Sequence, residues 1–248
     1  MVPLGSDTWT INPNNTNQQK LSFYPENKQI RLSALKASSG SQSIALSGMY
    51  KSSDAFDVEL DVQNLIIENI LPSPPTFAIG GNANLEISIM RSTEENQLGI
   101  DANINSLKIN GEGLGDLFLE ARGNTQINNY FANLEVTKSD QKTVGLRGFW
   151  QGLEDPILNF NLNFNELDLA FLSPLGKKAL NQIRGKVAGD VTLWGALKSL
   201  KHEGSLLWTK GGFAIPFLNL DYEIESTKVG LSNQNFNFDR VVLNDTDH

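Results

Sequence analysis

Two stretches of this chain, about one hundred residues apart, carry the same alternation of apolar and polar residues. Ser43–Tyr50 (SIALSGMY) aligns with Thr143–Trp150 (TVGLRGFW), Leu46 on Leu146 and Gly48 on Gly148. Phe56–Leu65 (FDVELDVQNL) aligns with Leu158–Leu167 (LNFNLNFNEL) at an offset of 102, and Ile79–Ile89 with Ile183–Leu193 at 104. Period-two hydrophobicity inside a long period describes a sheet that grows by adding units. It predicts one continuous sheet in three sections, a partial unit over 1–55, a unit over 56–157 and a truncated unit over 158–248. Both ends fall inside units, so the sequence reads as a piece of a longer protein.

Residues 56–64 alternate strictly, with Phe56, Val58, Leu60 and Val62 on one side and Asp57, Glu59 and Asp61 on the other. That is a half-buried strand. Further strands are expected over 79–89, 99–109, 115–122, 127–137, 142–150, 157–164, 183–194, 203–210, 213–216, 218–226, 228–232 and 235–243. Short turns join them, which favours an antiparallel meander, because parallel neighbours need long crossovers. One helical turn is expected over Leu65–Leu71 before Pro72, Pro74 and Pro75. Apolar residues at helical spacing, split by Pro174, suggest helix over Glu166–Leu172 and Leu175–Ile183.

The net charge is −8 and the pI about 4.8. That disfavours nucleic acid and anionic headgroup surfaces as partners. Zero cysteines exclude disulfides and thiolate chemistry. No signal peptide is visible, and no apolar run is long enough to span a bilayer. Asparagine, about one residue in nine, falls at polar strand positions as well as in turns. Strands normally avoid it, so one face of this sheet is expected to be wet.

Nothing in the chain points to catalysis, a cofactor or a metal. His202, in a Lys-His-Glu segment, and His248 read as solvated loop positions. Asp101–Ser106 (DANINS) lacks the closing Gly and Glu of a calcium loop. Gly111–Gly115 (GEGLG) lacks the third glycine and the helix of a dinucleotide fingerprint, and reads as a turn. Asp57, Glu59 and Asp61 read as a strand's outer face. Trp9, Trp150, Trp194 and Trp208 could be sugar platforms, but packing is the simpler reading of each.

The ordered series of segments resembles the TamB family of the AsmA-like superfamily. It runs from Trp9–Asn14 (WTINPN) to Gln42–Gly48 (QSIALSG), then through the strand Phe56–Val62 to a short apolar helix and proline. It continues with Leu114–Asn124 (LGDLFLEARGN), Ile183–Leu193 (IRGKVAGDVTL) and Glu203–Ile215 into Phe213–Pro216 (FAIP). The resemblance covers most of 8–248. It implies a periplasmic protein anchored in the inner membrane of a Gram-negative cell, an elongated half-pipe of β-sheet (a β-taco) with an apolar lumen, and delivery of phospholipid toward the outer membrane. It further implies an Omp85-type outer-membrane barrel as partner, met through regions outside residues 1–248.

The physics of an uncovered apolar face agrees with such a conduit. One or two short helices per unit cannot cover so many strands, and glycines such as Gly81, Gly185 and Gly189 favour bending. Each methylene of an acyl chain buried in the trough gains ~0.8 kcal/mol, so a chain of about 16 carbons gains on the order of 10 kcal/mol. The expected lining for phospholipid acyl chains is the apolar parity: Phe56, Val58, Leu60, Leu85, Ile87, Ile89, Ile104, Leu117, Leu119, Leu134, Val136, Leu146, Phe160, Leu162, Phe164, Val187, Val191, Leu193, Leu206, Ile215, Leu220, Tyr222, Ile224, Phe236 and Phe238. Two other functions fit the composition. Exposed edges could assemble outer-membrane proteins such as autotransporters by β-augmentation, or a β-sandwich could bind carbohydrate through Trp and Asn.

Overall fold

In a computed structural model, residues 2–12, 20–71, 77–93, 96–176, 179–233 and 235–245 are described. The alternation seen in the sequence becomes seventeen strands of one antiparallel sheet, not closed into a barrel. The first five are β1 (Val2–Leu4), β2 (Asp7–Ile11), β3 (Lys20–Tyr24), β4 (Gln29–Ser39) and β5 (Gln42–Ser52). They are followed by β6 (Ala55–Ile66), β7 (Ile79–Arg91), β8 (Asn96–Ile109), β9 (Glu112–Asn124), β10 (Asn129–Lys138) and β11 (Gln141–Gln151). The last six are β12 (Ile157–Asp168), β13 (Asn181–Ala196), β14 (Lys201–Ile215), β15 (Leu220–Ser232), β16 (Asn235–Asp239) and β17 (Asn244–Asp245).

From β3 to β16 each strand pairs with the next in sequence. Both outermost rungs are broken. The edge of β4 is shared by β3 at Ile30 and β2 at Ala37, and the edge of β15 by β16 at Val229 and β17 at Tyr222.

Helix is scarce. α1 (Ile67–Ile70) follows β6, as expected. The longest 3-10 segment, Ala170–Gly176, follows β12. The helices expected over Glu166–Leu172 and Leu175–Ile183 do not form as such. Glu166 stays in β12, Gly176 ends the 3-10 turn, and Asn181 already opens β13. Of the apolar residues there, Leu167 and Ile183 belong to strands, while Ala170, Phe171, Leu172 and Leu175 lie in the 3-10 segment.

Strands expected to end near 164 and 210 run on through a β-bulge, and the one expected to end near 226 runs on to Ser232 with no register shift against β14. Asn64, Ser106, Glu166 and Lys210 take φ of +53°, +53°, +50° and +49°, and Gly81, Gly115 and Gly185 take +135°, +111° and +105°. Pairing shifts at or beside all seven positions, as between Val62 and Leu65 in β6 and between Phe164 and Leu167 in β12. The bulges fall close together on successive strands and form a transverse seam from β6 to β14. A bulge bends its strand and increases local twist, so the seam is a fold line.

The bend is visible in one contact. Asn110, in the turn after β8, donates its side-chain N–H to the Phe171 carbonyl at 2.7 Å. A flat sheet would hold β9 and β12 about 14 Å apart. Phe171 lies three residues past Asp168, the end of β12, a reach of at most about 10 Å. Together with the cluster beneath it, which joins side chains of β8, β9, β10, β12 and β13, the 3-10 segment straps together two parts of the sheet that curl toward each other. Beneath it lies the packed cluster Leu107, Leu114, Val136, Leu167 and Val187, with Phe164 and Phe171 against it.

Candidate functional site

The strand register turns the parity pattern into rows that cross the whole sheet. One row reads Ile11, Ala37, Ile44, Val62, Leu85, Ala102, Leu119, Leu134, Leu146, Leu162, Val191, Gly204, Leu231 and Phe236. No polar side chain interrupts it. From β4 to β16, twelve inter-strand steps make a track of roughly 58 Å. The row beside it on the opposite face reads Asp61, Glu86, Asp101, Glu120, Asn133, Arg147, Asn161, Thr192, Glu203, Ser232 and Asn235, polar throughout.

By this register twenty-one of the twenty-five residues expected to line the trough share the apolar face, whereas Ile215, Leu220, Tyr222 and Ile224 lie beyond the irregularity at Lys210 and have the opposite parity to Val229 and Leu231. Val136, Val187, Val191 and Ile224 are buried among their neighbours and offer little surface to a ligand. Phe236 and Phe238, on the outermost strand with one flank uncovered, are 62% and 55% exposed. The other nineteen are half-buried. That intermediate burial fits a concave surface without a second layer. On the polar face Phe118, Phe131 and Phe149 are exposed, whereas Phe160 and Phe164 on the apolar face are not.

Other residues of the same rows were not singled out from sequence: Leu98, Ile100, Leu158, Val229 and Leu231. The parity of Val229 and Leu231 is broken by the adjacent polar pair Glu225 and Ser226, both exposed. Cross-strand pairing, not alternation within one strand, reveals them.

His202 is a correction. It is a β14 residue paired with Leu193 on the apolar face, not a loop residue. Its ring lies 5.8 Å from that of Phe236, and its Nε2 is buried without a hydrogen-bond partner. The turn before β14 is shorter than the polar composition suggests. Likewise only Gly111 of the GEGLG segment is in the turn, and β9 starts at Glu112.

No family profile, curated protein or solved structure matches this chain. Function must therefore be argued from the surface itself.

The tryptophans divide. Trp9 is only 2% exposed. Trp150 stacks on Tyr130 with centroids 4.8 Å apart. Trp208 donates its indole N–H to the Arg184 carbonyl at 3.1 Å. Trp194 alone faces the polar side, where it borders a hollow of about 770 Å³. Among the described residues no cluster of three or more His, Asp or Glu side chains is placed to hold a metal ion.

The start of the chain is held by polar contacts. Asp7 accepts hydrogen bonds from Gln42 Nε2 at 2.7 Å and Asn69 Nδ2 at 3.0 Å. Those two donors hold its carboxyl below the usual carboxylate range. Gln42 also accepts from the Ile66 N–H at 2.9 Å, which joins β2 to the β6–α1 corner.

Proposed function

We propose that this chain is a segment of a periplasmic, TamB-like conduit that moves phospholipid along its apolar face between inner and outer membrane. The observation that carries the reading is the uninterrupted apolar row from Ala37 to Phe236. A chain sliding along it exchanges one aliphatic rung for another, so each step releases about as much free energy as it costs. The mechanism is partition and diffusion, with headgroups left at the wet rim, and involves no nucleophile or metal. The anchor and an Omp85-type partner belong to the same proposal and act through residues outside this chain. Mass spectrometry of lipid extracted from purified protein tests it. Co-purified phospholipid is expected, and its absence from protein prepared out of phospholipid-rich cells overturns the reading.

A second reading rests on the edges. β3 and β16 each pair on one side only among the described residues, and Leu21 and Phe23 on β3 are 74% and 64% exposed. Such strands can template an incoming one. Proline at Asn237 would abolish client capture on this reading while leaving lipid loading intact.

A further inference from the structure

The polar face carries a feature that a lipid conduit does not need. Beside the 770 Å³ hollow at Trp194 lies another of about 420 Å³, and both are lined by Asp190 and Thr192. Together they form a trough crossing from β10 toward β15. Its origin is legible in the rows. Glu135, Gly145, Asn163, Asp190, Ser205 and Gly230 are successive cross-strand neighbours. Ser205 and Gly230 are small, so the floor drops there between taller flanking side chains, while the Lys142 side chain lies over Gly145.

We propose that this trough binds a neutral glycan, an extended chain of β-1,4-linked pyranose rings, with Trp194 as its stacking platform. A pyranose ring presents an apolar face of C–H groups and a rim of hydroxyls. It therefore selects an accessible aromatic face ringed by planar polar groups. Trp194 has Asn159 directly across on β12, and Thr192 and Glu203 line the same hollow. The polar groups are already oriented by one another. Asn163 donates to Asp190 at 2.9 Å, Thr192 donates to Asn161 at 3.0 Å, and Lys142 pairs with Glu135 at 2.5 Å. Preorganised donors and acceptors reduce the ordering cost of binding. The carboxylates Glu135, Asp190 and Glu203 outnumber the cations Lys142 and Arg147 along the two hollows of a protein of net charge −8, so an uncharged chain fits better than an anionic one.

Trp194, Asn159, Asp190 and Thr192 alternate out of the apolar row, although Gly204 and Leu231 of that row also line the larger hollow and Leu146, Leu162 and Val191 the smaller; this inference does not rest on lipid transport. Calorimetric titration of the 248-residue chain with cellohexaose and with chitohexaose tests it. Saturable binding of at least one is expected at millimolar concentration or below. Trp194→Ala should weaken it roughly ten-fold or more. Ser205→Gln, which raises the floor and leaves the indole in place, should also weaken it. Both variants should keep the parent's circular dichroism and lipid content. No binding of either hexasaccharide, or binding unchanged in Trp194→Ala or in Ser205→Gln, overturns the proposal.

Discussion

The amide of Asn110 and the carbonyl of Phe171 meet at 2.7 Å across a separation of 61 residues. This bond ties the turn after β8 to the 3-10 segment after β12. Asn110→Ala should cost about 2–3 kcal/mol of stability, since the side chain also accepts from the Ala78 N–H at 2.9 Å and the residue takes φ +54°. Amide exchange should rise within Ala170–Gly176 more than in β4 or β5. Uniform exchange across the sheet would show that the strap does not act locally.

Leu60 and Leu193 are half-buried on the apolar face. Leu60→Asp and Leu193→Asp should remove most co-purified lipid while β-sheet circular dichroism persists, because a carboxylate there still reaches water. Loss of the β signal instead would assign the face to internal packing.

Gly189 takes φ +140°, and a Cβ there would lie 2.1 Å from the Ser205 carbonyl oxygen. Gly189→Val should destabilise by more than about 3 kcal/mol through backbone strain and the clash. Gly113 has nothing within 4 Å of a Cβ. Gly113→Ala should change stability by less than about 0.5 kcal/mol. Urea midpoints compare the two.

Asp101 and Glu120 face each other across β8 and β9, and Glu86 and Asp61 continue the row of like charges. Arg122 offsets it, 2.8 Å from Asp101 and 3.4 Å from Glu120. These groups are close to half exposed, so Arg122→Gln should cost no more than ~1 kcal/mol at low salt. Added salt should narrow the gap between variant and parent, since it screens attraction in one and repulsion in the other. A gap indifferent to salt would count against this account.

Asp7 has a folded-state pKa depressed by its bonds from Gln42 and Asn69. Its stabilising contribution is complete above the unfolded-state pKa and is lost as pH falls through the folded value. The stability difference between the parent and Asp7→Asn should therefore be largest at neutral pH. It should shrink on the acid side of the usual carboxylate range. Urea midpoints across that range check the sign.

The sequence alone places most strands and much of their apolar parity, because alternation survives between the bulges. It misplaces strand ends at Phe164 and Lys210, where a bulge flips the parity and imitates a break. The signal was present as paired polar residues within apolar strands: Gln63 with Asn64, Asn105 with Ser106, Asn165 with Glu166, Thr209 with Lys210. Single-strand reading treats such a pair as a turn. The trough at Trp194 was hidden for another reason. Its floor residues, Ser205 and Gly230, come from two strands and meet only through register.

Because the seam of bulges is set by backbone torsions at exposed Asn64, Ser106, Glu166 and Lys210, the crease of the sheet is specified apart from the aliphatic side chains it curves around. Exchanging one aliphatic residue for another on the inner rows changes the bore without unbending the gutter. Selectivity for cargo and the shape of the carrier are thus governed by separate residues.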